Sequence, residues 1–142
     1  MFRTVLLPID LNHDNSWKKA LATALEICQM SGGSLHVLTV VPDFGMTIVG
    51  QSFPAGFRKD VADKTLKKLH EFVSANVPAT VKVQHIVGEG TVYEVILSIA
   101  DKISADLIVM GAHRPDLKDY LLGPNAARVV RHSDCSVMVV RD

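Results

Sequence analysis

Two short stretches near the carboxyl end combine residue types that hold anions. Gly111-Ala112-His113-Arg114 follows an apolar run, Asp106 to Met110. Gly123-Pro124-Asn125-Ala126 opens an amphipathic stretch leading to a second apolar run, Ser136 to Val140. Glycine lets backbone come close to a ligand. The first turn of a helix carries N–H groups with no acceptor of their own and attracts anions. Gly123, Asn125 and Ala126 would supply such groups, and the Asn125 amide adds a side-chain donor. Pro124 removes one N–H, at a position where proline suits the start of a helix. Arg114 could pair bidentately with phosphate oxygens, and His113 could donate beside it. The set suits a nucleotide phosphate. In the competing reading Pro124 merely starts a helix and Arg114 stands in solvent.

Asp10, closing the apolar run Phe2–Ile9, is the other candidate. A carboxylate there could bind ribose hydroxyls or a magnesium ion, or else cap the segment that follows. Other motifs fail on spacing. Ser31-Gly32-Gly33-Ser34 follows a helical pattern rather than the first strand and reads as a helix stop. Gly88-x-Gly90 is too short for a dinucleotide fingerprint and reads as a turn bordering the cleft. No Gly-Lys-Ser/Thr phosphate loop occurs. The six histidines show no metal-ligand spacing, so no metal site is expected. No Ser-His-Asp or Cys-His set has positional support, so no catalytic residue is assigned. His132 suits the negative end of the last helix.

Positioning these groups needs a scaffold, and its elements are legible. Five apolar runs, Phe2–Ile9, Ser34–Val41, Val81–Val87, Asp106–Met110 and Ser136–Val140, are rich in Val, Ile and Leu. Their near-continuous apolarity fits strands buried on both faces. Stretches of helical period lie between them, the clearest being Val92, Val95, Ile96, Ile99 and Ile103. Asp14 and Asn15 are N-cap candidates for the first helix, Gly32-Gly33 its stop, Thr91-x-x-Glu94 a capping box, and Pro124 a helix start. The alternation predicts a single α/β domain over 1–142, a three-layer sandwich on a five-stranded parallel sheet with four helices. Ligands of such sheets bind beyond the carboxyl ends of the strands. Pro42 to Gly56 is a long loop of the kind that often carries function.

Fifteen basic and fifteen acidic side chains cancel, so no nucleic-acid partner is expected. No apolar run reaches the ~20 residues of a membrane span, and the amino end reads as a strand rather than a signal peptide. The cytoplasm is the expected compartment. Cys28 and Cys135 read as two buried, reduced thiols. The last run, with Val137, Met138, Val139 and Val140, is uncharged and has almost nothing after it to cover it. At a sheet edge it would be sticky. Antiparallel pairing with the same strand of a second copy would solve this, so a homodimer is expected.

The chain resembles the universal stress protein family over its full length. The resemblance rests on VLLPID (Val5–Asp10), LHVLTVV (Leu35–Val41) before Pro42, ADLIVMGAHR (Ala105–Arg114) and LLGPNAARVVRHSDCSVMVVR (Leu121–Arg141). The Gly-x-His-Arg-Pro and Tyr-Leu-Leu-Gly-x-Asn-Ala forms are similar to the small, ATP-binding enterobacterial-type branch. The resemblance implies strand order 3-2-1-4-5, a homodimer and ATP as ligand. The family motif is Gly, two residues, Gly, nine residues, then Gly-Ser or Gly-Thr. Gly111 matches its first glycine, Arg114 takes the place of the second, and Gly123 matches the third after only eight residues, with Pro124 at the hydroxyl position. The resemblance further implies that Val40 offers backbone groups to adenine and that Pro8, Ile9 and Met110 pack the purine. An ATP-binding regulatory module without efficient catalysis is the leading expectation. A non-nucleotide interaction dimer and a slow ATP hydrolase using His113 or Asp10 are the alternatives. A phospho-acceptor receiver is excluded because Gly88 and Arg141 stand where it needs Asp and Lys.

Overall fold

Each apolar run becomes a strand: β1 (Thr4–Pro8), β2 (Ser34–Val41), β3 (Lys82–Glu89), β4 (Leu107–Gly111) and β5 (Ser136–Val140). The helices between them are α1 (Lys18–Ser31), α2 (Phe57–Asn76), α3 (Val92–Ile103) and α4 (Pro124–His132). The computed structural model describes residues 2–11, 17–41, 57–112 and 124–141. The 42–56 loop and the Asp14 and Asn15 cap candidates lie outside them. All neighbouring strands run parallel, in the order β3-β2-β1-β4-β5 that the resemblance implied.

Alternation along the central strands feeds two cores. Val5, Leu7, Leu35, Val37, Leu107 and Val109 face α1 and α2, where Leu21, Ala24 and Leu69 meet them. Leu6, Leu38, Ile108 and Met110 face α3 and α4, against Ile96, Ala100, Ala126 and Val129. Burial on both faces holds for β1, β2 and β4 but not for β3 and β5. Those two are the sheet edges, so each is only partly covered, and β3 leaves Lys82, Gln84 and Glu89 exposed.

Some local expectations need correction. α1 begins at Lys18 with Trp17 at its cap and no side-chain cap bond; the indole instead stacks edge-on against Phe72, 4.6 Å between ring centres. Thr91 does cap α3 in extended geometry, yet the capping box does not close. Glu94 accepts the Tyr93 hydroxyl at 3.3 Å instead. Gly88 is not part of a turn but lies within β3, paired with Val40. A Cβ there would strike Val95 of α3, so the glycine lets the helix sit close to the strand. The turn falls at Gly90 (φ 136°), whose N–H donates to the Val41 carbonyl at 3.1 Å. Cys28 is buried as expected, and burial, reinforced by the Asp106 charge, pushes its thiol up. Cys135 is only half-buried, because it enters the edge strand β5.

Asp106 has a structural role that its sequence context does not reveal. It precedes β4, and its carboxylate accepts the Arg3 N–H at 2.8 Å and the Thr4 N–H at 3.0 Å. Its own N–H donates to the Thr4 carbonyl at 3.0 Å. These bonds, two of them charge-assisted, hold β1 to β4 at the amino edge of the sheet.

His36, in the middle of the polar-poor β2, is buried with Nδ1 lacking a hydrogen-bond partner and Nε2 3.5 Å from the Ser34 hydroxyl. Burial holds its pKa below the ordinary value of 6.5. The unfolded chain therefore binds a proton at His36 that the folded chain resists, and stability rises with pH through that range. The stability is fully present above pH ~6.5 and falls as the pH drops toward the folded pKa. Urea titrations from pH 7.5 to 5 should show this acid loss in the parent and a smaller one in His36→Leu. Equal pH slopes in the two proteins would remove His36 as the cause.

Candidate functional site

The carboxyl edge of the sheet gathers most of the sequence candidates. The chain leaves β1 toward β2 on one side, while β4 lies on the other, so the topological switch falls between β1 and β4. Here the ladder stops early. β1 and β4 pair only at Val5–Leu107 and Leu6–Ile108, whereas β1 follows β2 to Pro8–Leu38 and β4 follows β5 to Gly111–Val140. Pro8 has no N–H with which to extend a ladder. The two strand ends thus leave a notch between them, at the place where open α/β sheets bind ligands.

Asp10 stands exposed just past β1, with Ile9 anchored below it by an N–H bond to the Leu38 carbonyl at 2.8 Å. Gly111 ends β4, and Ala112 donates its N–H to the Val140 carbonyl at 3.0 Å. Val40, half-buried near the end of β2, pairs with Gly88. Met110 and Ala126 are 7% and 4% exposed and belong, with Val40, to the core cluster on the α3/α4 side. Ile9 differs: its side chain packs in the opposite core, under α1 and α2. Val40 and Met110 therefore lie on the face of the sheet opposite to the one on which the Ile9 side chain packs.

α4 begins at Pro124, as its missing N–H allows, with Asn125 half-buried and Ala126 buried in its first turn. The N–H groups of this turn have no acceptor within the helix. The opposite end carries Arg131 and His132, which suit the helix dipole. On the outer face the Arg128 guanidinium lies 4.9 Å from the Tyr93 ring centre, tying α4 to α3. His113, Arg114 and Gly123 lie outside the described residues.

Sequence reasoning misses the packing role of Gly88. The close approach of α3 to β3 that Gly88 permits depends on Val95, and helical periodicity names no such partner. A separate groove of about 180 Å³ lies at the other end of the sheet, between the ends of α3 and α4, bordered by His132, Ser133 and Cys135. It shares no residue with the carboxyl-edge site. Among the described residues no group of three or more His, Cys, Asp or Glu could hold a metal ion, and no helix is long and apolar enough to cross a membrane.

A doubly wound parallel sheet, with a notch at its switch point and a helix amino end beside it, places the chain among the open α/β folds, whose ligands bind at that edge. The universal stress protein family model matches residues 1–141, and the chain belongs to that family. Universal stress protein G of Escherichia coli O157:H7 is 28% identical over 99% of this chain and 100% of its own length. Universal stress protein G of Salmonella typhimurium is 29% identical with the same coverage. Solved structures share the fold. The hypothetical protein MJ0577 superposes with TM-score 0.82 at 24% identity, covering 100% of this chain and 97% of that one. A universal stress protein in complex with cAMP gives 0.69 at 22% identity, covering 99% and 97%. The Archaeoglobus fulgidus universal stress protein in complex with dAMP gives 0.69 at 18% identity, covering 97% of each.

Proposed function

We propose that this chain is a cytoplasmic, single-domain adenine-nucleotide-binding module, with ATP as its ligand and no efficient catalysis, acting as a homodimer in a stress response. The observation that carries the reading is the early end of the β1–β4 ladder, which opens a notch at the switch point beside the first turn of α4. Adenine would lie against Val40, Pro8 and Met110. The ribose hydroxyls would reach Asp10, with magnesium as that carboxylate's alternative partner. The phosphates would meet the N–H groups of Gly111, Gly123, Asn125 and Ala126. Arg114 and His113 would supply the charge and hydrogen bonding that Pro124 withholds. The two related proteins solved with cAMP and with dAMP support an adenine ring in this fold. Regulation is preferred to hydrolysis because the sequence assigns no positioned base or nucleophile beyond His113 and Asp10.

Calorimetry with ATP, ADP, AMP and cAMP, each with and without magnesium, tests the reading. Binding of one adenine nucleotide per chain is expected, and no binding at millimolar ATP would sink it in favour of a non-nucleotide interaction dimer. Asp10→Ala should weaken ATP binding by roughly tenfold, the worth of about one or two hydrogen bonds. It should leave the fold intact, because the side chain is exposed beyond the end of β1. Unchanged ATP affinity in that variant would place the ribose elsewhere.

A further inference from the structure

Two histidines distant in sequence meet on a part of the molecule remote from the cleft. His70 lies exposed on α2 and His85 half-buried on β3, with ring centres 5.0 Å apart and planes inclined at 65°. On β3, Val83 and Val87 pack toward the α1/α2 core, and His85 stands between them in the same alternating row. An imidazole thus occupies a position where the period calls for an apolar residue. On α2, His70 follows the fully buried Leu69 and precedes Val73 by one turn. Both rings are therefore carried on regular elements packed against one another. β3 is a sheet edge, so the pair is open to water.

We propose that His70 and His85 form a two-histidine chelate for a borderline divalent transition-metal ion such as Ni(II), Cu(II) or Zn(II). The spacing fits. With metal–nitrogen bonds of about 2.0–2.1 Å and about 1.1 Å from ring centre to nitrogen, each centre would lie about 3.2 Å from a shared ion. Two such centres 5.0 Å apart subtend about 100° at the ion. That angle falls between the cis square-planar and the tetrahedral arrangements that these ions favour. Imidazole is the donor they prefer, and the inclination of the planes can be taken up by rotation about the metal–nitrogen bonds. Water fills the remaining positions, since no third protein donor completes a cluster among the described residues. The ion would pin α2 to β3 and stabilise the folded chain by mass action. Sequence spacing conceals the site because the donors come from different elements.

Calorimetry and thermal unfolding of tag-free protein with Ni(II), in a chelator-free buffer, provide the test. One ion per chain is expected, together with a rise in the unfolding temperature. His70→Ala, on an exposed helix face, and His85→Gln should each weaken binding by about 100-fold or more, because the second donor of a chelate acts at high effective concentration. His132→Ala should leave binding unchanged. Circular dichroism establishes that each variant is folded. If His85→Gln fails to fold, His70→Ala alone decides the matter. The proposal is overturned if both variants bind Ni(II) like the parent, or if the parent binds none at about 1 mM; the rings then do no more than pack edge to face.

Discussion

Gly33→Ala should cost this protein about 3 kcal/mol of folding stability, near the upper end of what an overpacked site costs. A Cβ at Gly33 would sit 2.6 Å from the Arg3 carbonyl oxygen, 2.8 Å from its Cα and 2.9 Å from its carbonyl carbon. All three are backbone atoms at the entry to β1, which is the central strand. They cannot yield without disturbing the bond from the Ser34 N–H to that same Arg3 carbonyl, at 2.8 Å, which starts the β1–β2 ladder. The neighbouring glycine provides the control. Gly32 ends α1 at φ 71°, and a Cβ there would meet nothing within 4 Å. Gly32→Ala should therefore cost only about 1 kcal/mol, the penalty of a left-handed residue bearing a side chain. Urea unfolding of the two variants measures both. Equal losses would mean that the Arg3 contact is relieved at little cost.

Val139→Pro should turn the expected homodimer into a folded monomer, weakening self-association by about 100-fold or more. The Val140 carbonyl accepts the Ala112 N–H from the β4 side. In a parallel ladder the peptide groups of alternate residues face one neighbour, so those of Val137 and Val139 face the open edge. Proline at 139 removes an outward N–H and sets its ring where a second strand would lie, without removing an N–H that bonds to β4. In a symmetric pair the change acts twice. Sedimentation equilibrium with circular dichroism separates lost assembly from lost fold. A dimer as tight as the parent's would show that the β5 edge is not the interface, whereas unfolding would show that β5 needs that N–H internally.

The readable parts of the fold are those with local causes. Runs of Val, Ile and Leu mark every strand, Gly32 stops α1, and Pro124 starts α4, because each signal acts within a few residues of its own backbone. The misreadings share a different cause. Asp14 and Asn15 look like caps, but Trp17 takes the cap position and is held by an aromatic contact with Phe72, from another helix. Gly88 looks like a turn, but it is a strand residue whose missing side chain admits Val95. The polar residues Lys82 and Gln84 mark β3 as a partly exposed strand, but the uncharged run of β5 gives no such sign, since edge position is a property of sheet order.

The candidate site divides in the same way. Its residue types are legible from spacing: a carboxylate closing β1, a glycine closing β4 and a helix start at Pro124. Their assembly is not. The notch exists because β1 and β4, about a hundred residues apart in the chain, pair for two residues and then part. Likewise His70 with His85, and Asp106 with the Arg3 and Thr4 amides, meet only after the helices have docked on the sheet. The chain order of apolar runs and breakers is enough to specify elements and architecture, because burial and backbone preference are encoded locally. Which atoms face one another across the notch, at the strand edges and between helix and sheet is decided by packing, because those contacts depend on the positions of residues far apart in the chain.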